Sequence, residues 1–181
     1  MNTRPASQII REGLAALGQL GRGAEVTGRR LMAGLDAMTA MAAKHGTAGL
    51  WDAQAEALAQ RARLVRMLAG LQGRADPMAG YAAAHRSASD ARDAAQRAAE
   101  RGGVNPVNLA AYVTALEEIG LAALELGKDP SPQGRTRLGE AAECFSEAAV
   151  GHGKLGHADA ATLAEVRALE ARAEWALREP A

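Results

Sequence analysis

The chain has 181 residues, 48% of them apolar but only 3% aromatic, with a formal net charge of zero and one cysteine. That length suffices for one domain of ordinary size with a core of its own. A single thiol excludes an intrachain disulfide framework or a multi-cysteine zinc site, and zero net charge argues against a whole-domain footprint for nucleic acid.

Strand-forming β-branched and aromatic residues are scarce, whereas Ala, Leu and Met abound, all strong helix formers. The expectation is an all-α protein. Residues 1–74 hold ten Lys/Arg and five Asp/Glu, and residues 75–181 hold eleven and sixteen, a division of +5 against −5. Such polarity orients head-to-tail association or steers a charged partner; solvated faces of differing sign explain it equally well. The opening twenty residues are interrupted by Arg11 and Glu12 and carry no signal-type apolar core. No apolar run approaches the ~20 residues that span a bilayer. These features predict a soluble, cytoplasmic protein without a membrane partner.

Seven helical patterns follow in chain order. The first starts near Pro5 to Ser7 and carries Ile9, Ile10, Leu14, Leu17 and Leu20 before Gly21 and Gly23. The second runs from Ala24 to about Lys44 with Leu31, Leu35, Met38 and Met41 in one stripe, closed by Gly46 as a left-handed cap. The third, with Thr47 or Asp52 as cap, shows Trp51, Ala55, Leu58, Ala62, Val65 and Leu68. Asp76-Pro77 pairs an N-cap with proline at the first helical position and opens a fourth helix whose face is nearly all alanine.

Asn105-Pro106 repeats that device before Leu109, Val113, Leu116 and Ile119, and the fifth helix stops at Gly127. The sixth begins at about Gly134 or Thr136, carries Leu138, Ala142, Phe145 and Ala149, and loosens at Gly151-His-Gly153. The seventh, capped by Asp159, offers Leu163, Val166, Leu169, Ala173 and Leu177 as its inner face and ends before Pro180. The connectors are short, so the expectation is one all-helical domain over 1–181.

A period runs through the odd-numbered patterns. Leu14-x-x-Leu17-Gly18, Val65-x-x-Leu68-Ala69 and Leu116-x-x-Ile119-Gly120 place two large residues and a small one at equal offsets, each copy fifty-one residues after the last. The even-numbered patterns carry Thr27-x-x-x-Leu31-x-x-Gly34, Pro77-x-x-x-Tyr81-x-x-Ala84 and Ala141-x-x-x-Phe145-x-x-Ala148. A small residue lets a neighbouring backbone approach while a large one fills the gap, which suits stacked hairpins.

These motifs resemble the tetratricopeptide repeat, best over Leu116 to Ala149, with a period longer than the family's ~34 residues. The resemblance implies helical-hairpin repeats over 5–46, 47–103 and 105–156, a capping helix over 159–178, and a groove lined by the odd-numbered helices. It implies partner-binding positions at Arg63 and Arg66 in the second copy and Thr114 and Glu117 in the third. A compact antiparallel bundle is the alternative architecture.

Catalytic chemistry has little to stand on. His152 and His157 are five apart, without the i, i+4 spacing of a helical zinc pair, and there is no Glu-x-x-His di-iron motif. Neither metal nor cofactor is expected. Cys144 sits mid-helix beside Phe145, the setting of a buried, inert thiol. Glu117-Glu118 and Glu140, Glu143 and Glu147 are spaced like solvated helical faces, and the histidines like solvated or capping residues. The methionines read as core filling, and the arginines lack the interleaved aromatics of a nucleic-acid surface.

The leading expectation is therefore a non-catalytic helical scaffold or adaptor that binds a protein or peptide. One alternative is a small-molecule-binding or enzymatic bundle whose pocket is assembled from residues distant in sequence. The other is a subunit of a larger assembly, with oligomerisation suggested by the charge division.

Overall fold

The computed structural model describes residues 24–71 and 76–178, with side chains described from residue 28 onward. The first predicted helix, with its Leu14, Leu17 and Gly18, lies outside these residues, as do the side chain of Thr27 and Pro180. The described residues form six α-helices and no strand: α1 (Ala24–Thr47), α2 (Trp51–Ala69), α3 (Pro77–Gly102), α4 (Pro106–Leu126), α5 (Pro132–Lys154) and α6 (Ala158–Leu177).

Two helix starts follow from their local sequence. Asp76 accepts a hydrogen bond from the Ala79 amide at 2.9 Å. Asn105 accepts from the amides of Val107 and Asn108 while its own amide donates to Asn108 Oδ1, a reciprocal capping box.

Elsewhere the boundaries differ from the expectation. Thr47 and Asp52 do not cap α2; Thr47 Oγ1 donates backwards to the carbonyls of Ala43 and Lys44, and Leu50 precedes the helix with no side-chain cap. Gly46 stays helical, and the left-handed turn falls on Gly49 at φ 69°. Ser131 caps α5 by accepting from the Gly134 amide, so that helix begins at Pro132, ahead of Gly134. It then continues through Gly151-His-Gly153 to Lys154, and Gly151 sits against Val113 of α4 with no room for a β-carbon. Asp159 lies inside the first turn of α6 and His157 takes the cap position.

The core shows how the helices run. Ala55 clusters with Ala94, Ala95 and Ala111, and Ala59 with Ala91 and Ala115. Ala62 and Ala88 then meet Leu116 and Ile119. Ascending positions in α2 therefore meet ascending positions in α4 and descending ones in α3. Helices α2 and α4 run in the same direction with α3 antiparallel to both. In the same way Ala164 joins Leu116 and Ile119, and Ala168 and Ala171 join Ala123, which sets α6 parallel to α4, with α5 antiparallel.

Alanine dominates these contacts because its small side chain lets helix backbones approach, at the cost of less apolar area per residue. Two of the small positions read from the sequence, Ala69 and Gly120, sit at such approaches. A β-carbon on Gly120 would lie 2.8 Å from the Phe145 ring, and one on Gly80 would lie 2.6 Å from the Ala69 β-carbon.

Helix α4 is the most enclosed. Its 18-residue window reaches a mean hydropathy of 1.3, long and apolar enough by composition to cross a membrane, yet 56% of that window is buried by neighbouring helices. It also carries Glu117 and Glu118 at its middle, so its apolar character is that of a core helix.

Helix α6 departs most from the expected pattern. Its inner residues are Ala164, Ala168 and Ala171, whereas Leu163, Val166, Leu169 and Leu177, expected inside, are exposed. The close approach to α5 admits alanine and excludes the larger side chains.

Candidate interaction surface

The i, i+3 spacing of Arg63 and Arg66 carries both guanidinium groups from α2 to a single carboxylate on α4. Arg63 Nε donates to Glu118 Oε1 at 2.9 Å, and Arg66 Nε donates to Oε2 at 2.8 Å. The Glu118 side chain is 1% exposed, and those of Arg63 and Arg66 are 30% and 24% exposed. Glu118 is thus a buried anion and not part of a solvated face. A charge withdrawn from water is tolerated only when paired and hydrogen-bonded, and two arginines from the adjacent helix supply both conditions. The arginines keep an outer edge toward solvent.

On either side of this ion pair run two partly exposed stripes. On α2 the stripe is Glu56, Gln60, Arg63 and Met67; on α4 it is Ala110, Thr114, Glu117 and Leu121. Both follow the three- and four-residue steps of one helix face. Arg63 belongs to the first stripe and Glu118 adjoins Glu117 of the second, so their hydrogen bond joins the two helices at this level. Thr114 Oγ1 donates to the Ala110 carbonyl at 2.9 Å, which spends its proton on its own helix. Glu117 turns toward α5, where its Oε1 lies 3.3 Å from His152 Nε2. His152, expected as solvated or capping, is buried, and its ring stands 5.8 Å from that of His157.

The other helix layer has its own polar bridge. His85 Nε2 of α3 meets Glu140 Oε1 of α5 at 2.9 Å, and Arg137 Nη1 donates to Glu140 Oε2 at 2.6 Å. His85 and Glu140 are fifty-five residues apart, as are Arg63 and Glu118. An ion pair therefore ties α2 to α4 and a His–Glu hydrogen bond ties α3 to α5 at the same sequence separation.

Burial pushes the Glu140 carboxyl up, but hydrogen bonds from His85 and Arg137 outweigh it and bring the group down to about 2. A carboxylate depressed in this way contributes stability above its unfolded value of 4.5, and that contribution is lost as pH falls toward about 2. In urea titrations, Glu140→Gln should be less stable than the parent at pH 7, with the gap closing between pH 4.5 and 2. A gap that stays constant to the acid end of the range would remove this bridge from the account.

Other potentially reactive groups are committed to structure. Cys144 is buried, and burial together with nearby Glu140 pushes its thiol up to about 12, far from a reactive thiolate. Among the described residues no three His, Cys, Asp or Glu side chains are gathered to hold a metal ion. An open cleft of about 380 Å³ lies against α2 and α3, lined by Arg61, Ala83, Arg86, Ser87, Ser89 and Asp90. Its serine hydroxyls donate to the carbonyls of Leu58 and His85, and Arg61 Nε donates to Thr39.

Arg63, Arg66 and Glu117 were readable as a charged face, but the buried partner that gathers the two arginines was not. Its only signal is a fifty-five-residue separation between an arginine and a glutamate, which carries no local pattern. No family model, curated protein or solved structure matches the chain.

Proposed function

We propose that this chain is a non-catalytic helical scaffold that holds a peptide or helix of a protein partner along the joined face of α2 and α4. The observation that carries this reading is the pair of parallel, partly exposed stripes meeting at the Arg63–Arg66–Glu118 ion pair. A tetratricopeptide-like stack supports it: α2, α4 and α6 run parallel, each followed or preceded by an antiparallel helix, and Gly120 receives the Phe145 ring. In such a stack the parallel helices line the groove.

Arg63 offers the outer edge of its guanidinium to an acidic or carbonyl-rich segment, while Thr114 and Glu117 set the polarity of the opposite wall. Binding of this kind draws its specificity from charge arrangement and its affinity from the apolar contacts beside it. Met67 and Leu121 supply such contacts.

The test uses Thr114, which bonds only to its own helix, and changes Glu117, whose carboxylate faces the buried His152, only to the near-isosteric glutamine. The wild-type chain and a Thr114→Lys/Glu117→Gln variant are used as bait in a lysate of the native host, with recovery quantified by mass spectrometry. A partner on this face is recovered at least ~10-fold less by the variant, a difference of about 1.4 kcal/mol, while both proteins melt together. Equal recovery of every bound protein would move the partner off this surface.

A further inference from the structure

Three charged side chains, Arg61, Arg86 and Asp90, line the open cleft of about 380 Å³ against α2 and α3, together with Ala83, Ser87 and Ser89. Arg86 and Asp90 stand four apart on α3, close enough on one helix face to meet. Among the described residues, however, their side chains make neither a hydrogen bond nor an ion pair. Arg61 Nε donates to Thr39 Oγ1 at 3.2 Å, which anchors that guanidinium and leaves its two Nη groups for another acceptor. Polar groups that converge on one space from two helices without satisfying one another are the usual content of a small-molecule site.

The kind of hydrogen bond each group makes is fixed. Arg61 and Arg86 only donate, in the planar fork that matches a carboxylate. Asp90 accepts. The hydroxyls of Ser87 and Ser89 have spent their protons on the carbonyls of Leu58 and His85, so their oxygens too can only accept. The lining therefore carries two cations and one anion, and its complement is a molecule with two carboxylates and one ammonium group.

We infer that this cleft binds a free acidic amino acid of the glutamate type, one carboxylate on Arg61, the other on Arg86 and the ammonium group on Asp90. Its size agrees, because ligand pockets span roughly 300–1,000 Å³ and this one lies at the small end, where an amino acid fits better than a nucleotide. A monocarboxylate leaves one guanidinium unmatched. Inorganic phosphate sets an anion beside Asp90 with no cation between them.

The site is separate from the α2–α4 face. Positions two apart on a helix point about 160° away from each other, so Arg61 lies on the side of α2 remote from Arg63. Exposed ion pairs are each worth little, and Arg86 and Asp90 are exposed. The dissociation constant is accordingly on the order of 1 mM.

Titration of the full chain with L-glutamate at constant ionic strength, followed by proton–nitrogen correlation NMR, tests this directly. Amide signals of residues 83–90 and of Arg61 should move together and saturate. Arg86→Gln should weaken binding several-fold with an unchanged melting temperature, since its side chain has no partner in the fold. The ammonium contact is read with glutarate, the same dicarboxylate without the amine. The wild type should bind glutarate several-fold more weakly than glutamate, and Asp90→Asn should erase that preference. Thr114→Lys, on the other side of α2, should bind glutamate as the wild type does. Four results overturn the inference. Two are shifts that fail to saturate by about 20 mM and binding indifferent to Arg86→Gln. The third is inorganic phosphate binding as tightly as glutamate, which would mark a general anion site. The last is a preference for glutamate over glutarate that survives Asp90→Asn.

Discussion

Replacing Arg63 and Arg66 together by alanine is expected to destabilise the protein by about 3–5 kcal/mol, the cost of leaving a buried charge without its partners. The Glu118 side chain is 1% exposed and accepts from both guanidinium groups. Without them, folding must desolvate a carboxylate or protonate it. Either single replacement should cost less, because the remaining arginine still bonds the carboxylate, Arg66 through both of its oxygens and Arg63 through one, so the two losses should be strongly non-additive. The triple replacement Arg63→Met, Arg66→Met, Glu118→Leu should recover most of the loss, since removing a whole buried ion cluster is often neutral or stabilising. Guanidinium denaturation of the parent and the four variants measures all of this. A double-alanine variant within about 1 kcal/mol of the parent would show that water reaches Glu118 freely and would remove the buried-charge argument.

The consequence for function is direct. At Arg63 and Arg66 a charge reversal disturbs the fold as well as any bound partner, so loss of capture by such a variant is not evidence of contact. Thr114 is the cleaner probe, as it bonds only to its own helix, whereas Glu117 faces the buried His152 and is changed only conservatively.

The second large effect belongs to Phe145, the single phenylalanine of the chain and wholly buried. Phe145→Ala should cost about 3–5 kcal/mol through lost transfer energy and the cavity left behind. Gly120 explains how the ring is seated: a β-carbon there would lie 2.8 Å from the ring edge. In the parent, Gly120→Ala gains about 1 kcal/mol of helix propensity but forces a repacking that costs about 1–3 kcal/mol. In the Phe145→Ala background the clash is gone and the same change should stabilise by up to about 1 kcal/mol. The measurement is a double-mutant cycle by chemical denaturation. Additive effects would mean that Gly120 does not accommodate the ring, and the reading of its small-residue position would fail.

Several features were legible because their causes are local. Asp76-Pro77 and Asn105-Pro106 announced helix starts, since an N-cap side chain and the proline ring act within one turn. The small residues Ala69 and Gly120 were recognised as close approaches, Ala69 against Gly80 and Gly120 against Phe145. The cap of α2 was misplaced and the start of α5 was set too late, because a Ser or Thr hydroxyl can either donate to the preceding helix, as Thr47 does, or cap the following one, as Ser131 does.

Burial was harder. Glu118 has the same neighbours in sequence as Glu117, yet one is enclosed and the other only partly covered. In α6 two apolar sets of similar strength lay on opposite sides, alanines on one and leucines with valine on the other, and periodicity ranks faces by hydrophobicity alone. The larger residues were therefore expected inside.

By itself the sequence determined the helical class, the capped starts of α3 and α4 and the positions where backbones come close, because propensity, capping and side-chain volume act within a turn or two. Only the tertiary structure decided that Arg63 and Arg66 share one buried carboxylate, that His152 is enclosed, and that α6 turns its alanines inward and its leucines out. Those outcomes depend on the distance between helices distant in sequence. Close packing rewards the residue that fits the gap, whether or not it is the most hydrophobic one available.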